Sequence, residues 1–272
     1  MTMQNCFSMR LPQRAIPLLL AGLVLAGCAS GPRDDLSLVP AALDQETSSQ
    51  GYFTQPLRYT RVPEGCKGTC PKLVVDSLTF PGHPRLGTLV DYALASMTWL
   101  DQDRPAPYET IAEFETYYLK TAAARDEVNL IARTRYRNAD LTTIELTSGQ
   151  YQTGMAHGIT GTQFINWDNG AEKVLTLDDL LQAGSLGAFN ERLRAAHAQW
   201  LLEHADSIDT MADFKRMWPF APTDNVALTD LGLVAKYQSY EIAPYAWGQP
   251  ELLIPYAELN DILRPRYLPP AR

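Results

Sequence analysis

The sequence has little cysteine and little histidine, four residues of each in 272, and it has no uninterrupted apolar run near the roughly 20 residues that carry a helix across a bilayer. It has no basic cluster either: 23 Lys and Arg stand against 31 Asp and Glu, a formal charge of −8. That balance argues against nucleic acid and against electrostatic attraction to anionic lipid, and suits polysaccharide or a basic protein partner. There is no dinucleotide or P-loop glycine pattern, no Gly-x-Ser-x-Gly elbow and no internal repeat, so no nucleotide cofactor or serine-hydrolase site is read from the chain. His83, His157, His197 and His204 fall at no metal-ligand spacing. His197 and His204 share a helix face, but a pair is not a site. Acidic residues are numerous enough for the carboxylate pair of a glycosidase, yet nothing in the sequence selects two. No catalytic residue, metal or cofactor is assigned.

What is present starts at the N-terminus. Arg10 and Arg14 precede an apolar stretch from Ala15 to Ala26, too short to span and of the length of a secretory h-region. It ends in Leu25-Ala26-Gly27-Cys28, which resembles the lipobox of bacterial lipoprotein precursors. The resemblance implies cleavage before Cys28 and lipid on its thiol, giving a signal peptide over 1–27. Met9 is an alternative start, and an ordinary signal with an incidental cysteine is the alternative reading. Ala29, rather than aspartate, follows the cysteine and points to the outer membrane, facing the periplasm. Residues 28–52 are Ser-, Gly-, Asp-, Gln- and Pro-rich, without periodicity, and read as a tether.

Cys66 and Cys70 remain. In an oxidising compartment thiols this close are expected to pair; two ligands without a neighbouring histidine make a poor metal site, and a redox pair has two intervening residues rather than three. Around them Leu57–Val62 and Lys72–Phe80 read as strands. Leu86, Leu89, Val90, Ala93, Leu94, Met97 and Leu100 form a helical stripe. A second helix is expected from about Pro107, with Ile111, Phe114 and Tyr118 on one side. Alternation from Val128 to Tyr136, the turn Arg137-Asn138-Ala139-Asp140 and a return over Leu141–Ser148 predict a hairpin. Another is expected around Asp168-Asn169-Gly170. Thr176 and Asp179 suggest a capping box, and Phe189, Leu193, Ala196 and Trp200 a longer helix to about His204. Strands Gly232–Gln238 and Glu251–Ile254, then a short helix Tyr256–Leu263, close the chain. Hairpins mixed with helices predict an α+β domain in two parts, 53–149 and 150–266, with antiparallel sheet packed by helices.

Two stretches carry a further resemblance. One is Thr153-Gly154-Met155-Ala156-His157-Gly158, followed by the Asn169-Gly170 turn and Leu175 to Leu180. The other is Leu228-Thr229-Asp230-Leu231-Gly232-Leu233, then Tyr237-Gln238-Ser239-Tyr240-Glu241-Ile242-Ala243-Pro244-Tyr245-Ala246-Trp247-Gly248, ending in Ile254-Pro255-Tyr256. Together they resemble the extracytoplasmic domain shared by the lysozyme-sensing anti-sigma factor RsiV and the non-catalytic region of the peptidoglycan deacetylase PdaC. The resemblance implies a domain without catalytic residues, binding a lysozyme-type protein or peptidoglycan. Neither signalling nor deacetylation carries over, because the sequence shows neither a sigma-binding segment with a spanning helix nor a deacetylase domain. A cell-wall-active hydrolase or accessory enzyme is the alternative.

His157, Tyr237, Tyr240, Glu241, Tyr245 and Trp247 are the candidate contact residues. Clustered aromatics with a carboxylate suit a sugar ring or a cationic protein. They equally suit a tight turn whose rings pack inward, and His157 equally suits ordering of its own glycine loop.

Overall fold

The structure, a computed structural model, describes residues 51–101, 103–205 and 208–269. The signal segment, Cys28 and nearly all of the tether lie outside the described residues. Among the described residues nine strands and five α-helices form two sheets with helices packed on them, an α+β arrangement.

The larger sheet runs β1 (Gln55–Arg61), β2 (Lys72–Thr79), β3 (Glu127–Arg137), β4 (Leu141–Tyr151), β5 (Ile159–Asp168) and β6 (Lys173–Leu175), in sequence order. Every neighbour is antiparallel except β2 and β3, which run parallel. Parallel strands cannot be joined by a tight turn, and α1 (Pro84–Ser96) and α2 (Ile111–Thr121) make the crossover. Both lie on one sheet face, where Leu73, Val75, Leu130, Ile144, Leu146 and Trp167 pack against Leu86, Val90, Leu94, Phe114 and Tyr118. Full burial of such side chains contributes about 1.5–3 kcal/mol each. Cys66 and Cys70 form a disulfide in the connection between β1 and β2, as their spacing led us to expect.

The second core gathers α3 (Leu177–Leu180), α4 (Leu186–Glu203), α5 (Met211–Met217) and the sheet β7 (Val226–Leu228), β8 (Gly232–Lys236), β9 (Glu251–Pro255). Thr176 caps α3 reciprocally with Asp179, the box read from the sequence. Gly232 opens β8 where a Cβ would stand 2.2 Å from the Ile254 carbonyl oxygen, so no larger residue fits there. β5 and β6 follow residue 150 yet extend the sheet begun by β1–β4.

Three boundaries differ from expectation. The first helix stops at Ser96 and leaves Leu100 exposed, because the chain turns at Met97–Trp99 to enter the connection to α2. The second begins at Ile111 rather than near Pro107, since Thr110 and Glu113 form a capping box there. The expected helix Tyr256–Leu263 is only a 3-10 turn, Tyr256–Glu258. Its remainder is drawn out to pair with the chain after α3: Gln182 N–H donates to Ile262, Arg264 N–H donates to Leu180, and Leu181 bridges Leu263. Helix α5 and strand β7 had no counterpart in the sequence reading. Both are short, and short elements carry little periodicity.

Candidate functional site

The stretch from Tyr237 to Gly248 leaves β8 and returns to β9. Its aromatics part company. Tyr237 is fully buried, with its hydroxyl donating to the Ala221 carbonyl at 2.8 Å, and burial pushes its phenol pKa well up. Its reading as a surface contact residue is corrected: it is core. Trp247 lies half-buried among Trp200, His204 and Phe214, with ring centroids at 5.4, 5.2 and 5.0 Å, and also belongs to the interior side. Glu241 is exposed, but its carboxylate accepts the Gln238 N–H at 2.6 Å and so closes the turn.

Tyr240 and Tyr245 go the other way and meet His157. The His157 imidazole stacks on Tyr245 at 4.1 Å and Tyr245 neighbours Tyr240 at 5.6 Å. Trp218, from the end of α5, stacks on Tyr240 at 6.1 Å. The Tyr245 hydroxyl donates to the Gly158 carbonyl at 3.0 Å, and His157 Nδ1 lies 2.9 Å from the same oxygen. The two stretches singled out in the sequence are therefore joined here, 83 residues apart for His157 and Tyr240. His157 both orders its own loop and forms part of a surface. Tyr240 is 52% exposed and has φ +70°, a left-handed conformation uncommon for a bulky residue and costing about 1–3 kcal/mol.

Below this ring face lies a set of side-chain amides. Among the described residues, the outer edge of β5 has no strand beside it before Asn166, where β6 begins to pair. Gln238 fills the gap: its amide oxygen accepts the Thr162 N–H at 3.0 Å and its amide nitrogen donates to the Thr162 carbonyl at 2.7 Å. Asn225 accepts the Phe164 N–H at 2.8 Å, and Gln249 donates to the Thr160 carbonyl at 3.2 Å. Three amides thus stand in for a strand and tie the small sheet to the large one. None of the three stands out in the sequence. Gln238 was inside the quoted stretch but overshadowed by its aromatic neighbours, and Asn225 follows a Pro-Thr-Asp segment that looks like plain loop.

A second tie is ionic. Arg135 is the extra residue of a β-bulge between Thr134 and Tyr136, a device that re-aims a side chain. It contacts Glu145 at 3.1 Å and Glu251 at 2.6 Å, while Lys236 donates to the same two carboxylates at 2.5 and 2.9 Å. Burial disfavours the Lys236 ammonium, but its bonds to Glu145 and Glu251 outweigh that and raise its pKa. Among the described residues no group of three or more His, Cys, Asp or Glu is placed to hold a metal ion.

The architecture is that of an α+β domain in which one amide-clamped junction supports an exposed ring face. Residues 178–257 match the model of a family described as a protein of unknown function, DUF3298. A crystal structure of a DUF3298 family protein from Pseudomonas aeruginosa is 39% identical, with 81% of this chain and 98% of that one covered at a TM-score of 0.74. The chain belongs to the DUF3298 family. A second member of known structure, from Bacteroides fragilis, is 20% identical over 78% of this chain and 93% of that one, at a TM-score of 0.60, and shares the fold. No curated protein matches.

Proposed function

We propose that the protein is a non-catalytic binding lipoprotein, held by lipid on Cys28 at the outer membrane and facing the periplasm. Its ligand is a lysozyme-type protein, with peptidoglycan as the other candidate, in keeping with the resemblance to the extracytoplasmic domain of RsiV and PdaC. The observation that carries the reading is Tyr240. A large ring held in a left-handed backbone conformation and left half exposed is costly to keep, and such strain is characteristic of functional positions. Two stacked pairs, Trp218 on Tyr240 and His157 on Tyr245, meet at a tilt of 31° between the tyrosines and turn ring faces toward one another. They offer edges and polar rims, which suit a protein surface better than a sugar ring. The negative net charge favours a basic partner.

The test is Tyr240→Gly, assayed for binding to lysozyme and to purified sacculi and for stability in urea. Glycine accepts the left-handed conformation, so relief of strain offsets the lost stacking and stability stays within about 1 kcal/mol of wild type. Binding to lysozyme should fall at least tenfold. Wild-type affinity for neither ligand, unchanged binding by the variant, or turnover of labelled peptidoglycan by the purified protein overturns the reading.

A further inference from the structure

A cleft of about 380 Å³ opens between the end of α1, the inner side of α2 and the ends of β3 and β4. Its walls are aromatic: Trp99, Tyr108, Tyr117 and Tyr151 all line it. Here the rings are not stacked. Trp99 and Tyr117 meet edge to face, with centroids 6.3 Å apart and planes at 71°, and Tyr108 approaches Trp99 at 87°. An edge-to-face pair consumes at most one face of one ring, so aromatic faces remain for a ligand. This is the reverse of the Tyr240 stack.

The polar groups of the cleft divide into spent and unspent. Asp101 is paired with Arg104 at 2.6 Å, and Asp126 accepts the N–H groups of Ala123 and Thr153 at 2.9 and 2.6 Å. The Tyr108 hydroxyl is 2.7 Å from Thr98 Oγ1. Gln150 is buried on the floor, and its amide nitrogen donates to the Met97 carbonyl at 3.2 Å and approaches Ser148 Oγ at 3.4 Å. No described residue donates to its amide oxygen or bonds to the hydroxyls of Tyr117 and Tyr151. The cleft thus holds aromatic faces, one unpartnered amide acceptor and two phenolic hydroxyls, with Asp101 ion-paired and Asp126 held by backbone N–H groups. An anionic ligand would find no cation among the described lining residues, a cationic one would find Asp101 paired and Asp126 already holding two backbone N–H groups, and a purely apolar one would leave Gln150 unsatisfied. The volume sits at the small end of ligand pockets, roughly 300–1,000 Å³.

We propose that this cleft binds a neutral saccharide of one or two pyranose rings, stacked on Trp99 and Tyr117 and donating a hydroxyl to Gln150. The proposal is independent of the ligand assigned to the Tyr240 face. Sugar rings present apolar C–H faces to aromatic side chains and hydroxyls around the rim, the complement of what the cleft offers.

The experiment titrates the purified lipid-free chain with diacetylchitobiose and with cellobiose, following tryptophan fluorescence and calorimetric heat. Saturable binding of either disaccharide at submillimolar to millimolar concentration is expected. Tyr117→Ala should weaken it at least fivefold, and Tyr151→Phe, which removes one hydroxyl and keeps the ring, about threefold. Trp99→Phe should abolish the fluorescence change. Preference for diacetylchitobiose, with sacculi retained by wild type and released by Tyr117→Ala, assigns the sugar to the wall glycan; equal binding of cellobiose assigns a general neutral saccharide. Binding of neither sugar, or binding indifferent to both tyrosine substitutions, overturns the proposal.

Discussion

Replacing Gln238 by leucine tests the amide junction most directly. Thr162 is 3% exposed, and both its N–H and its carbonyl rest on the Gln238 amide, at 3.0 and 2.7 Å. Leucine has nearly the same volume and no polar atom, so little packing changes while two buried backbone groups lose their partner. Each such loss costs about 1–3 kcal/mol. The Thr162 carbonyl keeps a long contact to Asn225 at 3.4 Å, so the expected total is about 2–4 kcal/mol. Urea unfolding followed by circular dichroism measures it, and hydrogen exchange should show the Thr162 amide losing protection. Gln238→Glu sharpens the argument. An ionised carboxylate still accepts from the Thr162 N–H but sets an oxygen against the Thr162 carbonyl; a protonated one donates there as glutamine does. The glutamate pKa should therefore rise on folding, and the variant should gain stability as pH falls from 7 towards 5. A leucine variant within about 0.5 kcal/mol of wild type, or a glutamate variant with no recovery in acid, would refute the reasoning.

The ionic tie gives a second prediction. Lys236→Met leaves Glu145 and Glu251 with Arg135 alone, and because these groups are partly exposed the cost should be about 2 kcal/mol, below the 3–5 of a fully buried pair. Adding Glu145→Gln should restore part of it in a double-mutant cycle. A third concerns His197, 5% exposed with no partner for Nε2. Burial, then the charges of Lys215 and Arg194, lower its pKa. The unfolded chain binds a proton below about pH 6.5 that the native chain refuses, so stability is full above that value and declines as pH falls towards the lower folded one. The slope this histidine adds is at most about 1.4 kcal/mol per pH unit, and thermal melts of His197→Phe should lack it.

Much was readable because it is local. The alternation of Val128, Leu130 and Ala132 makes β3, the Asn138–Asp140 turn returns it as β4, and the Thr176–Asp179 box opens α3, each through contacts within a few residues. The Cys66–Cys70 pairing is of the same kind. The candidate contact residues were only half readable, because alternation and spacing say which residues are near one another in sequence and not which way a turn will point them.

Periodicity determined most strands and helices, because local pattern is a property of the chain itself. Tertiary structure alone decided the rest. It took Tyr237 inward to Ala221 and sent Tyr240 outward to His157, 83 residues away. It drew Ile262 and Leu263 out of the expected helix into pairing with the chain after α3. It spent three amides on the open edge of β5 and left Gln150 an unspent oxygen in an aromatic cleft. In each case the deciding partner is remote in sequence, and a buried polar group takes whichever partner the packed fold supplies.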